Sequence, residues 1–101
     1  MVLSIFAGLR SRINNARYWC SRDVALSHLS TVTVAPITST IRDVPSEVLL
    51  DAEDGMKGSC AVNLHNAVTV SQHRLGKRVA SLSNIRMKQV CTALRFAMGC
   101  D

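Results

Sequence analysis

Aromatic residues are scarce in this 101-residue chain: one Trp, one Tyr and two Phe, or 4% of positions. The core must therefore be aliphatic, and a broad aromatic platform for stacking nucleic-acid bases is not expected. Long apolar runs are missing too. None approaches the ~18 residues of a membrane-spanning helix, so no membrane span is expected. The four cysteines, Cys20, Cys60, Cys91 and Cys100, include no C-x-x-C pair and no Cys–His group with zinc-finger spacing. Neither a metal ion nor another cofactor is expected. Met1–Leu9 is too short, and lacks the basic start, of a signal peptide. Free thiols in a reducing cytoplasm follow. There is no internal repeat, no low-complexity stretch and no helix-turn-helix spacing.

What is present is apolar and basic. The chain is 48% apolar, enough for one small domain spanning 1–101 and too little for two. Net charge is +5 and unevenly spread. Arg10, Arg12, Arg17 and Arg22 against Asp23 leave residues 1–30 at +3. Asp43, Glu47, Asp51, Glu53 and Asp54 against Arg42 and Lys57 leave residues 31–60 at −3. Arg74, Lys77, Arg78, Arg86, Lys88 and Arg95 against Asp101 leave the remainder at +5. Such a balance suits a polyanionic partner, either nucleic acid or an acidic protein tail, and it also suits an ordinary solvated surface.

Thr31-Val32-Thr33-Val34 alternates strictly and is entirely β-branched, which predicts a strand with Val32 and Val34 on one face. Pro36, lacking an N–H, is expected to bend that strand or leave it at an edge. Short strands are predicted at Glu47–Leu50, Cys60–Leu64, Ala67–Val70 and Arg74–Val79, with a turn at Asp43–Ser46 and an acidic loop at Asp51–Gly58. Ser83 reads as an N-cap. Met87, Val90, Cys91, Leu94 and Met98 then form one helical stripe, with Arg86, Lys88 and Arg95 off it, ending at Gly99. Cys91 in that stripe reads as a small core residue. The first twenty residues have no clear period; Ile5, Phe6 and Leu9 are spaced for one helical turn. Ser21–His28 reads as a loop or short helical turn. The class is α+β: a small bent sheet or barrel covered by a C-terminal helix.

At Thr31–Arg42 the residues Thr-Val-Thr-Val-Ala-Pro-Ile-Thr-Ser-Thr-Ile-Arg resemble the central strand and following turn of the MazF/PemK toxin family. Ser21-Arg22-Asp23 resembles the family's segment after its second strand. Gly55–Val70 resembles its glycine-lysine turn and the strands beyond. Arg74-Leu75-Gly76-Lys77-Arg78, Leu82-Ser83 and Ala93-Leu94-Arg95 resemble its C-terminal pattern. The resemblance spans residues 21–101. It implies a small SH3-like barrel of the MazF/CcdB type with a C-terminal helix, usually a homodimer. It also implies a metal-independent, ribosome-independent endoribonuclease that cuts single-stranded mRNA and is held inactive by a cognate MazE-like antitoxin. The family's opening strand, Arg-Gly-acid-Ile/Val-Trp, and its Arg-Pro pair are not matched in residues 1–20, so that strand is expected to be missing, displaced or replaced. Arg17 is the nearest arginine to the catalytic one and lies two places out of register.

RNA cleavage without a metal needs a base for the 2′-hydroxyl proton, an acid for the leaving 5′-oxygen, and donors for the phosphorane-like charge. The resemblance implies that an arginine and the threonine of the Thr-Ser pair share these tasks. That nominates Thr38, Ser39 and Arg17 as catalytic, with Thr40, Arg42, Asn66 and Arg74 on the RNA. Thr38–Thr40 would equally well satisfy a turn after a strand. His28, His65 and His73 show no spacing that makes them converge; the resemblance places an Asp-Asn where His65-Asn66 stand. Two alternatives remain open: a family member that binds antitoxin without cutting RNA, and a basic nucleic-acid-binding module.

Overall fold

The backbone order of this computed structural model follows from one strand shared by several partners. Residues 3–7, 18–22 and 31–99 are described. Among them are seven strands, β1 (Leu3–Ala7), β2 (Tyr18–Arg22), β3 (Thr31–Thr38), β4 (Glu47–Leu50), β5 (Cys60–Asn63), β6 (Val68–Ser71) and β7 (Lys77–Ser81), followed by a helix, α1 (Asn84–Ala97). They form one antiparallel sheet in the order β4-β5-β3-β2-β1-β7, with β6 also on β3. This is the expected α+β class. The sheet is curled into a half-barrel: among the described residues β4 and β7 each have a single neighbour.

Strand β3 is central because both its faces are apolar in different halves. Val32 and Val34 are buried with Trp19 and Val70, whereas Ala35 and Ile37 join the larger cluster on the opposite face. Thr31 and Thr33 are exposed, so the alternation is as expected. Pro36 departs from expectation. It lies inside the strand, opposite Trp19 of β2. On the other side β3 gives Thr31–Val34 to β6 and Ile37–Thr38 to β5. Pro36 falls in the interval between those two registers, where a missing N–H breaks no ladder.

The N-terminal segment corrects two expectations. Leu3–Ala7 is a strand rather than a helical turn, so of the outcomes expected for the opening strand it is not missing. It pairs with β2 (Phe6 opposite Trp19) and with β7 through a register shift at Ile5/Phe6. Leu3 and Ile5 enter the main core, while Ser4 and Phe6 are buried on the other face. Apolar side chains on both faces suit a strand flanked on both sides. Ser21 and Arg22 end β2 rather than starting a loop.

Helix α1 begins at the expected cap, the Ser83 hydroxyl accepting the Arg86 N–H at 3.3 Å, and ends before Gly99 at φ 73°. Its buried face is rotated by roughly 60° from the expected stripe. Val90 and Ala93 are buried and Met87, Leu94 and Ala97 pack on the core, but Cys91 and Met98 are exposed. The small residues Ala93 and Ala97 let the helix backbone approach the sheet. The same rotation turns Arg86 inward. Its Nε donates to both carboxylate oxygens of buried Asp54 at 3.1 and 3.2 Å. Asp54 also accepts the Asp51 N–H at 3.0 Å, closing a capping box on the turn Ala52–Asp54. The acidic loop is thereby riveted to the helix.

Two predictions follow from this packing. Asp54→Ala removes the carboxylate that takes both Nε bonds of half-buried Arg86, leaving it Asp51 at 3.8 Å and Gln89 at 3.0 Å, and costs about 3 kcal/mol, against about 1 kcal/mol for Ser83→Ala. Urea midpoints with unchanged m values check both. Burial pushes the Cys20 thiol from 9.0 up to about 12. The folded state favours the neutral thiol, so this stability is full below 9.0 and is lost as pH rises towards 12. Cys20→Ala is expected to flatten that alkaline decline, read from melting temperatures between pH 8 and pH 11 beside the parent.

Candidate active-site cleft

The C-terminal end of β3 opens into a cleft of about 600 Å³. Its floor is Pro36–Thr38 with Tyr18 beside it on β2. One wall is the β3–β4 connection with Ser39, Thr40, Arg42 and Glu47. The other is the turn Met56–Cys60, and Asn63 and Asn66 close the rim.

Backbone pairing places Thr38. It is the last residue of β3 and stands opposite Ala61 of β5. The chain then bends at Ser39, and the Thr40 N–H donates to Thr38 Oγ1 at 3.1 Å. The hydroxyl oxygen is thus oriented by the turn, while its hydrogen stays available for donation into the cleft. The turn role and the donor role of Thr38 are compatible.

The connection beyond Thr40 is held by Glu47. Its Oε1 accepts the N–H of Arg42 at 3.0 Å and that of Asp43 at 2.9 Å. Asp43 adopts φ 56°, a left-handed conformation that an Asp tolerates better than most side chains. Pro45 and Ser46 then turn the chain, with the Glu47 N–H on the Val44 carbonyl at 3.0 Å. At the rim, Asn63 Oδ1 accepts the His65 N–H at 3.1 Å and caps the turn Leu64–Asn66. The opposite wall stands on the Asp54–Arg86 rivet. Gly55 at φ 86° lets the chain leave that turn, and a side chain there would also press on Ala80.

The chemistry of the lining is that of an anion receptor. Arg42 and Lys57 are exposed cations on opposite walls, with the hydroxyls of Thr38, Ser39, Thr40 and Ser59 between them. Cys60 also lines the cleft, but it is no nucleophile. Burial pushes its thiol up, and the charges of Asp54 and Asp51 push in the same direction.

Of the residues singled out by sequence, Thr38, Ser39, Thr40, Arg42 and Asn66 meet in this cleft. Arg74 does not line it. It follows β6, whose Ser71 end lies against Thr31, the far end of β3 from Thr38. Arg17 is outside the described residues, as is His28. His65 is exposed beside the rim and lines nothing in the cleft. Sequence reasoning missed Tyr18, Glu47, Lys57 and Asn63. The glycine-lysine turn pointed to Lys57; nothing distinguished Glu47 from a solvent-facing residue at the start of a strand.

Known proteins agree with this architecture. A family model described as "PemK-like, MazF-like toxin of type II toxin-antitoxin system" matches residues 20–98. "Probable endoribonuclease MazF5" of Mycobacterium tuberculosis is 43% identical over 82 residues, covering 80% of this chain and 75% of that protein. The structure named "Mycobacterium tuberculosis toxin MazF-mt6" superposes with a TM-score of 0.77 at 28% identity, covering 100% of this chain and 99% of that one. A second structure, "Endoribonuclease in complex with its cognate antitoxin from Mycobacterial species", has a TM-score of 0.76 at 22% identity over 99% of this chain and 93% of that one, a likeness of fold alone. With four-fifths of its length matched and the whole of its fold shared, the chain belongs to the PemK-like, MazF-like toxins of type II toxin–antitoxin systems.

Proposed function

We propose that this protein is the toxin of a toxin–antitoxin pair and an endoribonuclease that cuts single-stranded mRNA at short sequences, without a metal ion and away from the ribosome. The observation that carries this reading is the convergence of Thr38, Ser39, Thr40, Arg42 and Asn66 in one cleft of a MazF-type fold. Relatives named endoribonucleases support the activity.

In the proposed reaction the 2′-oxygen attacks the adjacent phosphorus. The 2′-O–P bond forms, the P–O5′ bond breaks, and the products carry a 2′,3′-cyclic phosphate and a 5′-hydroxyl. Thr38 donates its hydroxyl hydrogen to a non-bridging phosphate oxygen as charge accumulates there. A neutral hydroxyl has too high a pKa to act as base unaided. The 2′-hydroxyl proton is lost to a base such as solvent water and the leaving 5′-oxygen takes one up; the resemblance implies that an arginine shares these tasks with the threonine, its cation stabilising the phosphorane charge, and Arg17, one residue before Tyr18 in sequence, is our candidate. Arg42 and Lys57 bind phosphates on either wall, Ser39 and Thr40 contact the same backbone, and Asn66 offers its amide to a base edge. The toxin acts in the cytoplasm as a homodimer, and an acidic MazE-like antitoxin silences it by occupying the basic surface.

The test is cleavage of a long single-stranded RNA in EDTA, with 5′-hydroxyl ends mapped. Discrete cuts are expected, reduced roughly 100- to 1,000-fold in Thr38→Ala. Arg17→Ala is expected to lose a comparable factor, and Arg42→Ala to raise KM more than it lowers kcat. A folded parent protein that binds an acidic antitoxin peptide yet cuts nothing would overturn the enzyme reading in favour of an antitoxin-binding family member.

A further inference from the structure

Glu47 is out of place in a cleft read as a receptor for RNA. Its carboxylate stands in the wall that is to receive phosphates, where like charge opposes binding. The hydrogen bonds explain its presence. Glu47 opens β4 and is held by the ladder opposite Asn63. From that fixed base its Oε1 gathers two consecutive backbone N–H groups, those of Arg42 and Asp43. The bonds tie the start of β4 back across the connection that leaves Thr38. They act on the backbone of Arg42 and leave its side chain available: among the described residues the Arg42 guanidinium makes no ion pair.

We propose that Glu47 is a positioning residue, which aims Arg42 at a phosphate of single-stranded RNA without touching the RNA itself. This inference rests on the RNA-cleaving reading above. Two neighbouring constraints make Glu47 decisive. Upstream, the connection is pinned by the Thr40 N–H on Thr38, and downstream by the Pro45–Ser46 turn and the Leu64 N–H on the Ser46 carbonyl at 3.0 Å. Between those pins Asp43 holds the left-handed φ of 56°, a conformation that costs free energy unless its surroundings impose it. Glu47 imposes it. Without the carboxylate the segment relaxes and Arg42 is no longer held at a fixed point of the cleft wall.

The test uses the full chain, a 2′-O-methylated single-stranded RNA that cannot be cut, and a cleavable RNA of the same sequence. Dissociation constants are measured across a salt series for the parent, Arg42→Ala, Glu47→Ala, Glu47→Gln and the Arg42→Ala/Glu47→Ala pair. Each phosphate contact contributes about 0.7 to the slope of log Kd against log salt. Arg42→Ala is expected to flatten the slope by about 0.7, Glu47→Ala by a similar amount, and the double variant by no more than either. Glu47→Gln keeps an oxygen that accepts both N–H bonds, and so is expected to recover most of the parental slope. On cleavable RNA, Glu47→Ala lowers kcat/KM roughly tenfold to a hundredfold. Glu47→Gln also carries the test should the alanine variant fail to fold, since a required negative charge at the RNA would make it as defective as a deletion.

A slope and kcat/KM unchanged in Glu47→Ala, in a parent that binds and cuts RNA, would overturn this proposal and leave the activity standing. Additive losses in the double variant would overturn it as well, by showing that Glu47 acts independently of Arg42. Tighter binding by Glu47→Ala would do so differently: the two N–H groups would then be a phosphate site that Glu47 blocks. A parent that neither binds nor cuts RNA would remove both readings together.

Discussion

Everything in this fold hangs on β3, a strand that changes partner part-way along. Its first half is paired to β6 and buries Val32 and Val34 on one face; its second half is paired to β5 and buries Ala35 and Ile37 on the other. Only an apolar segment with both faces occupied can sit at such a crossing. The exchange falls at Ala35–Pro36, so the last two residues of the strand are directed away from β6 and towards the cleft. Thr38 is where it is because the ladder with β5 ends there.

The cleft walls are irregular chain, and each is held by one carboxylate. Asp54 binds Arg86 of the helix, and through the turn Ala52–Asp54 it supports the wall that carries Lys57. Glu47 binds two backbone N–H groups and supports the wall that carries Arg42. Acidic residues thus fasten the frame, and the basic residues are left facing the space between. The negative balance of residues 31–60, which looks unsuited to an RNA enzyme, is largely consumed in this fastening.

Much of this was legible in sequence where a residue's type and its periodicity agree. Thr-Val-Thr-Val could only be a half-buried strand, and Ser83 and Gly99 bracket the helix as caps should. The cleft residues Thr38–Thr40, Arg42 and Asn66 were found through their motif, not through any physical pattern. The helix face was misplaced because Ala93 and Ala97 weigh little in a count of apolar positions, yet their small size is what permits close packing. Leu3–Ala7 has no period to separate strand from helix, and its assignment depends on two neighbours distant in sequence. Glu47 was invisible because a charge that bonds to the backbone looks, in sequence, like a charge in solvent. Arg74 shows the converse: it stands in a basic turn beside the resemblance's C-terminal pattern, but strand register carries it to the Thr31 end of β3, away from the cleft.

Strand β1 is held by main-chain bonds to β2 and β7 and by the burial of Leu3, Ile5 and Phe6. Such a slot accepts almost any short apolar segment. The frame on that side therefore depends on apolarity and main-chain pairing, and little on the particular wording of Leu3–Ala7.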